Sequence, residues 1–200
     1  MNGTNKAVLI ACIALQFLNC GDKLPAKEYM QYFERNHSRF TKTVERNDVI
    51  LNVSYIPGDF LAAREIAAGV NESVENALRK YSNTILITVG LSSRKGGTVS
   101  VLLRENGNGG FSENVYRNDF ERNRDIFLLC GADTVKAASY DYERNWGMGS
   151  QDVFAISFPR SEIRKPLSET HLMIRDLLPE LGSVDIALGD IVKKSKLLKR

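Results

Sequence analysis

Beyond residue 25, apolar side chains recur first at helical spacing. In Ala26–Arg35 aromatic and other apolar residues return every three or four positions among charged ones, which predicts an amphipathic helix. The same spacing predicts a helix over residues 59–68, capped by Asp59, and another over residues 71–81. The pattern therefore places three helices in the N-terminal part of the chain.

Alternating and short apolar runs predict β-strands between and after these helices. The pattern predicts a β-hairpin formed by residues 40–46 and Val49–Ile56. It predicts a central strand over residues 84–91, which are rich in β-branched side chains. Residues 98–103 favour another strand, with a helix as the alternative. From Asp125 onward the chain looks all-β, with predicted strands at Ile126–Cys130, 134–142, 153–158, His171–Ile174 and 184–188. We therefore predict an α+β fold, with N-terminal helices packed on a mainly antiparallel, sandwich-like β domain.

The first twenty residues have the form of an export signal. Lys6 supplies a positive charge, residues 7–18 are apolar except for Gln16, and polarity returns at Asn19 and Cys20. This apolar run fits the roughly 7–15 residues of a secretory h-region and is shorter than the about 20 residues that span a bilayer. The segment therefore predicts export. The alternatives are a plain secretory signal cut elsewhere and a buried N-terminal helix.

A signal that ends on cysteine resembles the lipoprotein signal of bacteria, in which the cysteine is lipidated and becomes the first mature residue. Cys20 is the predicted lipidation site, with Asn19 at the cleavage position where the pattern usually has a small residue. Cys12 also follows apolar residues and an alanine, but it lies inside the apolar run. We divide the chain into a signal peptide at 1–19, a tether at 20–27 and one globular domain at 28–200.

Charge and cysteine content narrow the function classes. The 27 Lys and Arg against 24 Asp and Glu give a net charge of only +3, which is no nucleic-acid signature. Of the three cysteines, removal of Cys12 and lipidation of Cys20 leave Cys130, so an internal disulfide and a cysteine zinc site are excluded. Cys130 follows an apolar run and is predicted to be a small buried hydrophobe. We expect no metal or other cofactor.

Several segments of the mature chain resemble a group of uncharacterised lipoproteins from Bacteroidetes. They include Tyr-x-x-Tyr-Phe at residues 29–33, Val-Ser-Tyr-Ile-Pro at 53–57, Phe-Ala-Ile-Ser-Phe at 154–158 and the Lys-Leu-Leu-Lys ending. The resemblance covers most of the mature chain and implies an envelope lipoprotein. It implies no activity and therefore no catalytic residue.

Candidate catalytic patterns are present but lack their usual context. Ser92 and Lys95 spell Ser-x-x-Lys, yet they stand at a strand end before two glycines, whereas the enzymes that use this motif place the serine at the start of a helix. His37 and His171 are the two histidines, and neither has the spacing of a metal site. Trp146 is either a sugar-stacking platform or a partly buried loop aromatic.

From these features we predict a membrane-anchored cell-envelope lipoprotein, at the outer membrane, whose domain is a non-catalytic binding module. Its expected partners are the membrane, through lipidated Cys20, and another envelope protein, but not nucleic acid. The alternative is a small exported hydrolase or a carbohydrate-binding protein. A cleft that gathers His37 or His171 with a serine and a carboxylate would favour the hydrolase.

Overall fold

The computed structural model describes residues 23–96, 101–104, 124–143, 151–175, 177–178, 181–192 and 197–198. Its helices are α1 (Ala26–Arg35), α2 (Gly58–Ala67), α3 (Val74–Tyr81) and the single turn α4 (Val101–Arg104). Its strands are β1 (Lys23–Leu24), β2 (Thr41–Arg46), β3 (Val49–Ile56), β4 (Thr84–Ser93), β5 (Ile126–Cys130), β6 (Asp133–Lys136), β7 (Ser139–Glu143), β8 (Asp152–Pro159), β9 (His171–Ile174), β10 (Val184–Ala187) and β11 (Leu197–Leu198).

Five antiparallel strands form the first sheet, in the order β2-β3-β4-β8-β7. Side chains alternate between the two faces of a strand, and one face of this sheet is apolar over most of its area. Val53, Val89 and Phe154 are register partners on β3, β4 and β8, and all three are fully buried. This apolar face supplies one half of the main core.

Four antiparallel strands form the second sheet, in the order β10-β9-β5-β6. Its row of register partners Ile186, Leu172 and Leu128 is equally buried and belongs to the same apolar cluster as the first sheet. The two sheets therefore enclose one core between them. With the helices described below, this arrangement confirms the predicted α+β, sandwich-like fold.

One edge of the sandwich is joined by the chain itself. The sequence predicts one strand over residues 134–142, but the structure divides it into β6 in the second sheet and β7 in the first. The chain changes sheets at Ala137 and Ala138, where the amide of Ala138 donates to the carbonyl of Ser157 at 2.8 Å. Small residues at this point allow the backbone to cross between the layers.

The opposite edge of the sandwich is joined by two cationic side chains of β2. The guanidinium of Arg46 donates to the carbonyls of Leu181 and Ser183, in the segment before β10. The ammonium of Lys42 lies 3.2 Å from Asp190 Oδ2, just after β10. Edge strand β2 is thereby tied to the second sheet by side chains rather than by backbone pairing.

The three longer helices lie at one end of the first sheet. Helices α2 and α3 are inserted between β3 and β4, and α1 precedes β2, whose start pairs with the end of β3. They share a second buried cluster of Tyr29, Ala62, Ala63 and Ala77. Gly58 permits close packing of α2 on α3, because a Cβ there would lie 3.1 Å from the carbonyl oxygen of Tyr81.

The N-terminal and C-terminal ends of the described chain are paired. Strand β1 runs parallel to β11, with Lys23 opposite Leu197 and Leu24 opposite Leu198. Leu24 also packs against the helical cluster. The predicted tether, residues 20–27, therefore includes paired backbone at β1 and the beginning of α1 at Ala26.

Two further local predictions are wrong. The strand favoured over residues 98–103 is not formed at residues 101–104, which make the helical turn α4; a short apolar run does not distinguish the two structures. Asp59 does not cap α2, because the chain enters the helix one residue earlier, after Pro57, and Asp59 falls in the first turn. Within the described residues, no helix is both long and apolar enough to span a membrane.

Candidate functional site

The predicted lipidation site lies outside the described residues. Cys20 precedes the first described residue by three positions, and Cys12 lies further back. Trp146, the candidate stacking aromatic, is also outside them. The roles predicted for these side chains remain predictions.

Cys130 lies where the sequence predicts it, in the core. It is 3% exposed at the end of β5, and its Sγ lies 3.8 Å from the hydroxyl of Thr170. The predicted burial is confirmed. A thiol in this position is a packing group, because a reactive cysteine must be accessible to its substrate.

His171 is on the second sheet, on the face turned away from the core. Its Nδ1 lies 2.7 Å from Asp185 Oδ1, and both side chains are about half exposed. The residues opposite it on the neighbouring strands are Leu129 and Ala187, neither of which is a nucleophile. The structure therefore gives His171 a carboxylate partner but no serine at these paired positions.

The Ser-x-x-Lys pattern does not form a catalytic pair. Ser92 is within strand β4, and Lys95 is in the turn after it with 83% of its side chain exposed. The Lys95 ammonium lies 4.0 Å from Asp48 Oδ2. The serine does not begin a helix, as this motif requires.

His37 lies at the mouth of a pocket on the first sheet. It begins the 3₁₀ turn His37–Phe40 that joins α1 to β2, and its ring meets the Phe33 ring edge-on at 5.7 Å. The pocket has a volume of about 400 Å³, within the usual range for ligand sites. We call it the sheet-face pocket, and its lining is His37, Ser38, Thr41, Asn52, Ser54, Thr88, Gly90, Gln151 and Val153.

The floor of the sheet-face pocket is built by register across the strands. Asn52, Gly90 and Val153 are partners on β3, β4 and β8, on the face opposite the core. The next row contains Ser54, which pairs with Thr88 on one side and with Thr41 on the other. Polar residues at alternate positions of otherwise apolar strands thus meet on one surface.

A chain of hydroxyl groups holds the polar side of the pocket in place. The hydroxyls of Thr41 and Ser54 are 2.8 Å apart, and Ser54 is only 4% exposed. Thr41 Oγ1 also donates to the carbonyl of His37 at 3.1 Å and lies 3.4 Å from its Nδ1. The imidazole is therefore positioned by a hydroxyl and by the Phe33 ring.

Gly90 keeps the pocket open at its centre. A Cβ on this residue would lie 3.1 Å from Gln151 Oε1, and 3.8 Å from the carbonyl oxygen of Asn52. Gly90 needs no unusual backbone angle, since it is in regular antiparallel pairing. Its lack of a side chain therefore determines the depth of the pocket rather than the path of the strand.

The chemistry of this lining suits binding better than catalysis. His37 is the one ionisable residue among the described residues of the lining, and its near partner is the hydroxyl of Thr41 rather than a carboxylate. Beyond the lining, the two rows end on β7 at Glu143, the register partner of Val153, and at Asp141, the register partner of Ala155. Strand β7 is four strands away from β2, about 19 Å at the usual strand spacing, so both carboxylates are remote from His37, which precedes β2. Among the described residues, no group of three or more His, Cys, Asp and Glu could hold a metal ion.

The helical layer contains a separate ionic cluster. Glu65 Oε1 accepts hydrogen bonds from Lys80 Nζ and from the hydroxyl of Tyr81, each at 2.5 Å. The Lys80 hydrogen bond, followed by that of Tyr81, lowers the pKa of Glu65. Burial, followed by the bond to Glu65, raises the pKa of Tyr81. This cluster joins α2 to α3, away from the sheet-face pocket.

Sequence reasoning missed the pocket residues, although a signal was present. Val49–Ile56 and residues 84–91 contain Asn52, Ser54, Thr88 and Gly90 at alternate positions between apolar residues. Such alternation indicates a strand with one face directed away from the core. The sequence does not show which strands are neighbours, so it could not show that these residues meet.

Comparison of the chain with models of protein families, with curated proteins and with solved structures gives no match. The predicted membership of a Bacteroidetes lipoprotein group is therefore untested by these comparisons.

Proposed function

We propose that this protein is a lipid-anchored, non-catalytic binding module of the bacterial cell envelope, with the sheet-face pocket as its ligand site. The observation that carries the binding role is a preformed pocket whose described lining is rich in hydroxyl and amide groups, with the His37 imidazole 3.4 Å from a threonine hydroxyl. The anchor rests on the sequence of the first twenty residues.

The short distance along the chain between Cys20 and the first strand supports the envelope role. Cys20 is three residues from Lys23, so an acyl group on it would lie within about 11 Å of β1 even in fully extended chain. Strand β1 pairs with β11, and Leu24 packs on the helices. A lipidated chain would therefore hold the helical layer close to the membrane surface. Each buried acyl methylene contributes about 0.8 kcal/mol to such anchoring.

The histidines favour binding over hydrolysis. A serine hydrolase needs a base that contacts the nucleophile and a carboxylate that orients the base. His37 has hydroxyl neighbours without a carboxylate in the pocket lining, and His171 has Asp185 without a nucleophile at its paired positions. His37 lies in the turn before β2 of the first sheet and His171 lies on β9 of the second sheet, so neither supplies what the other lacks.

The anchor is tested by mass analysis of the mature N-terminus and by membrane fractionation. We compare the native chain with Cys20→Ala and use Cys12→Ala, which changes a cysteine inside the signal, as the matched control. We expect an acylated Cys20 and membrane retention in the native chain and in Cys12→Ala, with loss of both in Cys20→Ala. An unmodified N-terminus, or unchanged fractionation of Cys20→Ala, would contradict the anchor.

Protease treatment of intact cells then determines on which side of the membrane the domain lies. Cleavage of the domain would mean that it faces the exterior, and full protection would mean that it faces the periplasm. The non-catalytic role is tested with the same cells carrying His37→Ala and His171→Ala. If both variants complement a deletion of the gene as well as the native chain does, a histidine-dependent enzyme is excluded.

A further inference from the structure

We propose that the sheet-face pocket binds an uncharged, hydroxyl-rich ligand, namely a sugar ring of a neutral saccharide. This inference rests on the proposed binding role and adds the chemical class of the ligand. It follows from the donors and acceptors in the lining, from their preorganisation and from the ligand classes that the lining disfavours.

The polar groups of the lining match the hydrogen-bonding capacity of sugar hydroxyls. A sugar hydroxyl both donates and accepts, and so do the hydroxyls of Ser38 and Thr88 and the amides of Asn52 and Gln151. Asn52 Oδ1 already accepts from the hydroxyl of Thr43 at 2.8 Å, which leaves the amide nitrogen as a donor. Because these groups converge on one pocket, a ring with several hydroxyls can satisfy them together.

Part of the lining is held in position before a ligand arrives. The Thr41 and Ser54 hydroxyls are bonded to each other at 2.8 Å, and Ser54 is more than nine-tenths buried. The ring of His37 is held by Phe33 and by Thr41, so its planar face has a defined direction. Groups that are already ordered lose little conformational entropy on binding, which favours affinity for a small ligand.

The lining disfavours the other common ligand classes. Among the described residues of the lining, an anionic ligand would find no lysine or arginine, and a divalent cation would find no carboxylate. An apolar ligand would contact Val153 but would remove the surrounding hydroxyls and amides from water without replacing their hydrogen bonds. A neutral polar ligand incurs neither penalty.

The experiment is a binding measurement on the full chain, purified in detergent, with a panel of uncharged saccharides. The probes are glucose, galactose, mannose, N-acetylglucosamine and their β-linked oligosaccharides, and glucuronic acid and inorganic phosphate serve as anionic probes. Ligand-observed NMR at millimolar probe detects binding, and calorimetric titration gives the dissociation constant.

Three variants locate the site. Gly90→Val fills the floor of the pocket and is expected to abolish binding, whereas Ala187→Val, on β10 of the other sheet, adds similar bulk away from the pocket and should leave binding unchanged. Asn52→Ala leaves the pocket open, removes one donor and is expected to weaken binding about tenfold. Urea unfolding of each variant confirms that it is folded.

The outcomes separate this inference from the proposed function. Binding of a neutral saccharide that Gly90→Val abolishes and Ala187→Val retains would support it. Failure of every neutral saccharide at millimolar concentration, binding that survives Gly90→Val, or binding of the anionic probes alone would overturn it. An acylated Cys20 with no saccharide binding would leave the envelope anchor intact and remove only the ligand class.

Discussion

Truncation of Phe154 is the most direct test of how the two sheets share their core. Phe154 is fully buried at the centre of β8, and its ring stacks on two tyrosine rings of β7. The centroid of Tyr142 lies 4.9 Å away and that of Tyr140 lies 5.5 Å away, with interplanar angles of 26° and 29°. We compare Phe154→Ala, which removes the ring, with Phe154→Leu, which keeps most of the apolar volume.

The expected losses follow from burial and stacking. Replacement of a buried Phe by Ala costs about 3–5 kcal/mol of unfolding free energy in most cores. Each aromatic pair contributes about 0.5–1.5 kcal/mol beyond its buried area. We therefore expect Phe154→Ala to lose about 4–8 kcal/mol, and Phe154→Leu to lose about 1–3 kcal/mol. A domain whose unfolding free energy is about 5–15 kcal/mol would be close to unfolding with Phe154→Ala, whereas with Phe154→Leu it would stay folded and the loss could be measured.

Urea unfolding followed by circular dichroism measures these losses. A lower midpoint with an unchanged slope identifies a loss of stability rather than a change in cooperativity. Phe127, on the face of β5 turned away from the core and half-buried beneath Arg175, provides the control pair Phe127→Ala and Phe127→Leu. We expect these changes to cost about 1 kcal/mol or less. Equal losses at the two positions would refute the shared core.

Four further substitutions test other contacts of the fold by the same unfolding assay. Arg46→Ala removes charge-assisted hydrogen bonds between β2 and the second sheet and should cost about 1–2 kcal/mol of unfolding free energy. Lys42→Ala removes a half-exposed ion pair and should cost less than about 1 kcal/mol, so equal effects would contradict the bridging role of Arg46. Gly58→Ala should destabilise the folded protein by about 1–3 kcal/mol, although alanine favours helix, because its Cβ would meet the backbone of Tyr81. A gain in stability would show that α2 and α3 can separate at no cost. The pKa of Glu65 is lowered on folding, so its ionised form stabilises the protein at neutral pH, and this contribution is lost as pH falls below the ordinary glutamate pKa of about 4.3. Glu65→Gln should therefore be less stable than the native chain at neutral pH, and the difference should shrink in acid.

Most elements of this fold could be predicted from the sequence because each has a strong local signal. The hairpin of β2 and β3 is marked by Asn47, which takes the left-handed conformation at φ 53° in the turn. Helix α3 is marked by Ser73, whose hydroxyl accepts from the amide of Asn76. Such signals depend on a few neighbouring residues, so a single sequence contains them.

The errors fall where a distant residue decides the local structure. Residues 101–104 form a helical turn, and the amide of Leu102 lies 3.4 Å from Oδ2 of Asp152, a buried side chain fifty positions away. The run at 134–142 divides because Ala138 hydrogen-bonds to β8 rather than continuing in the second sheet. Neither partner can be identified from the local sequence.

The sheet-face pocket shows the same limit in its functional form. Its residues come from the turn after α1, from strands β2, β3, β4 and β8, and from Gln151 just before β8. Apart from Val153, those on the strands are small polar residues or glycine, which in isolation indicate only a strand face directed away from the core. The catalytic motifs considered from the sequence rely on residue type and spacing, whereas this pocket depends on register alone. Asn52 and Gly90 meet because β3 pairs with β4, and a shift of β4 by one residue in that pairing would place Gly90 on the opposite face of the sheet from Asn52. The candidate function of this protein is therefore a property of its strand pairing rather than of any single reactive side chain.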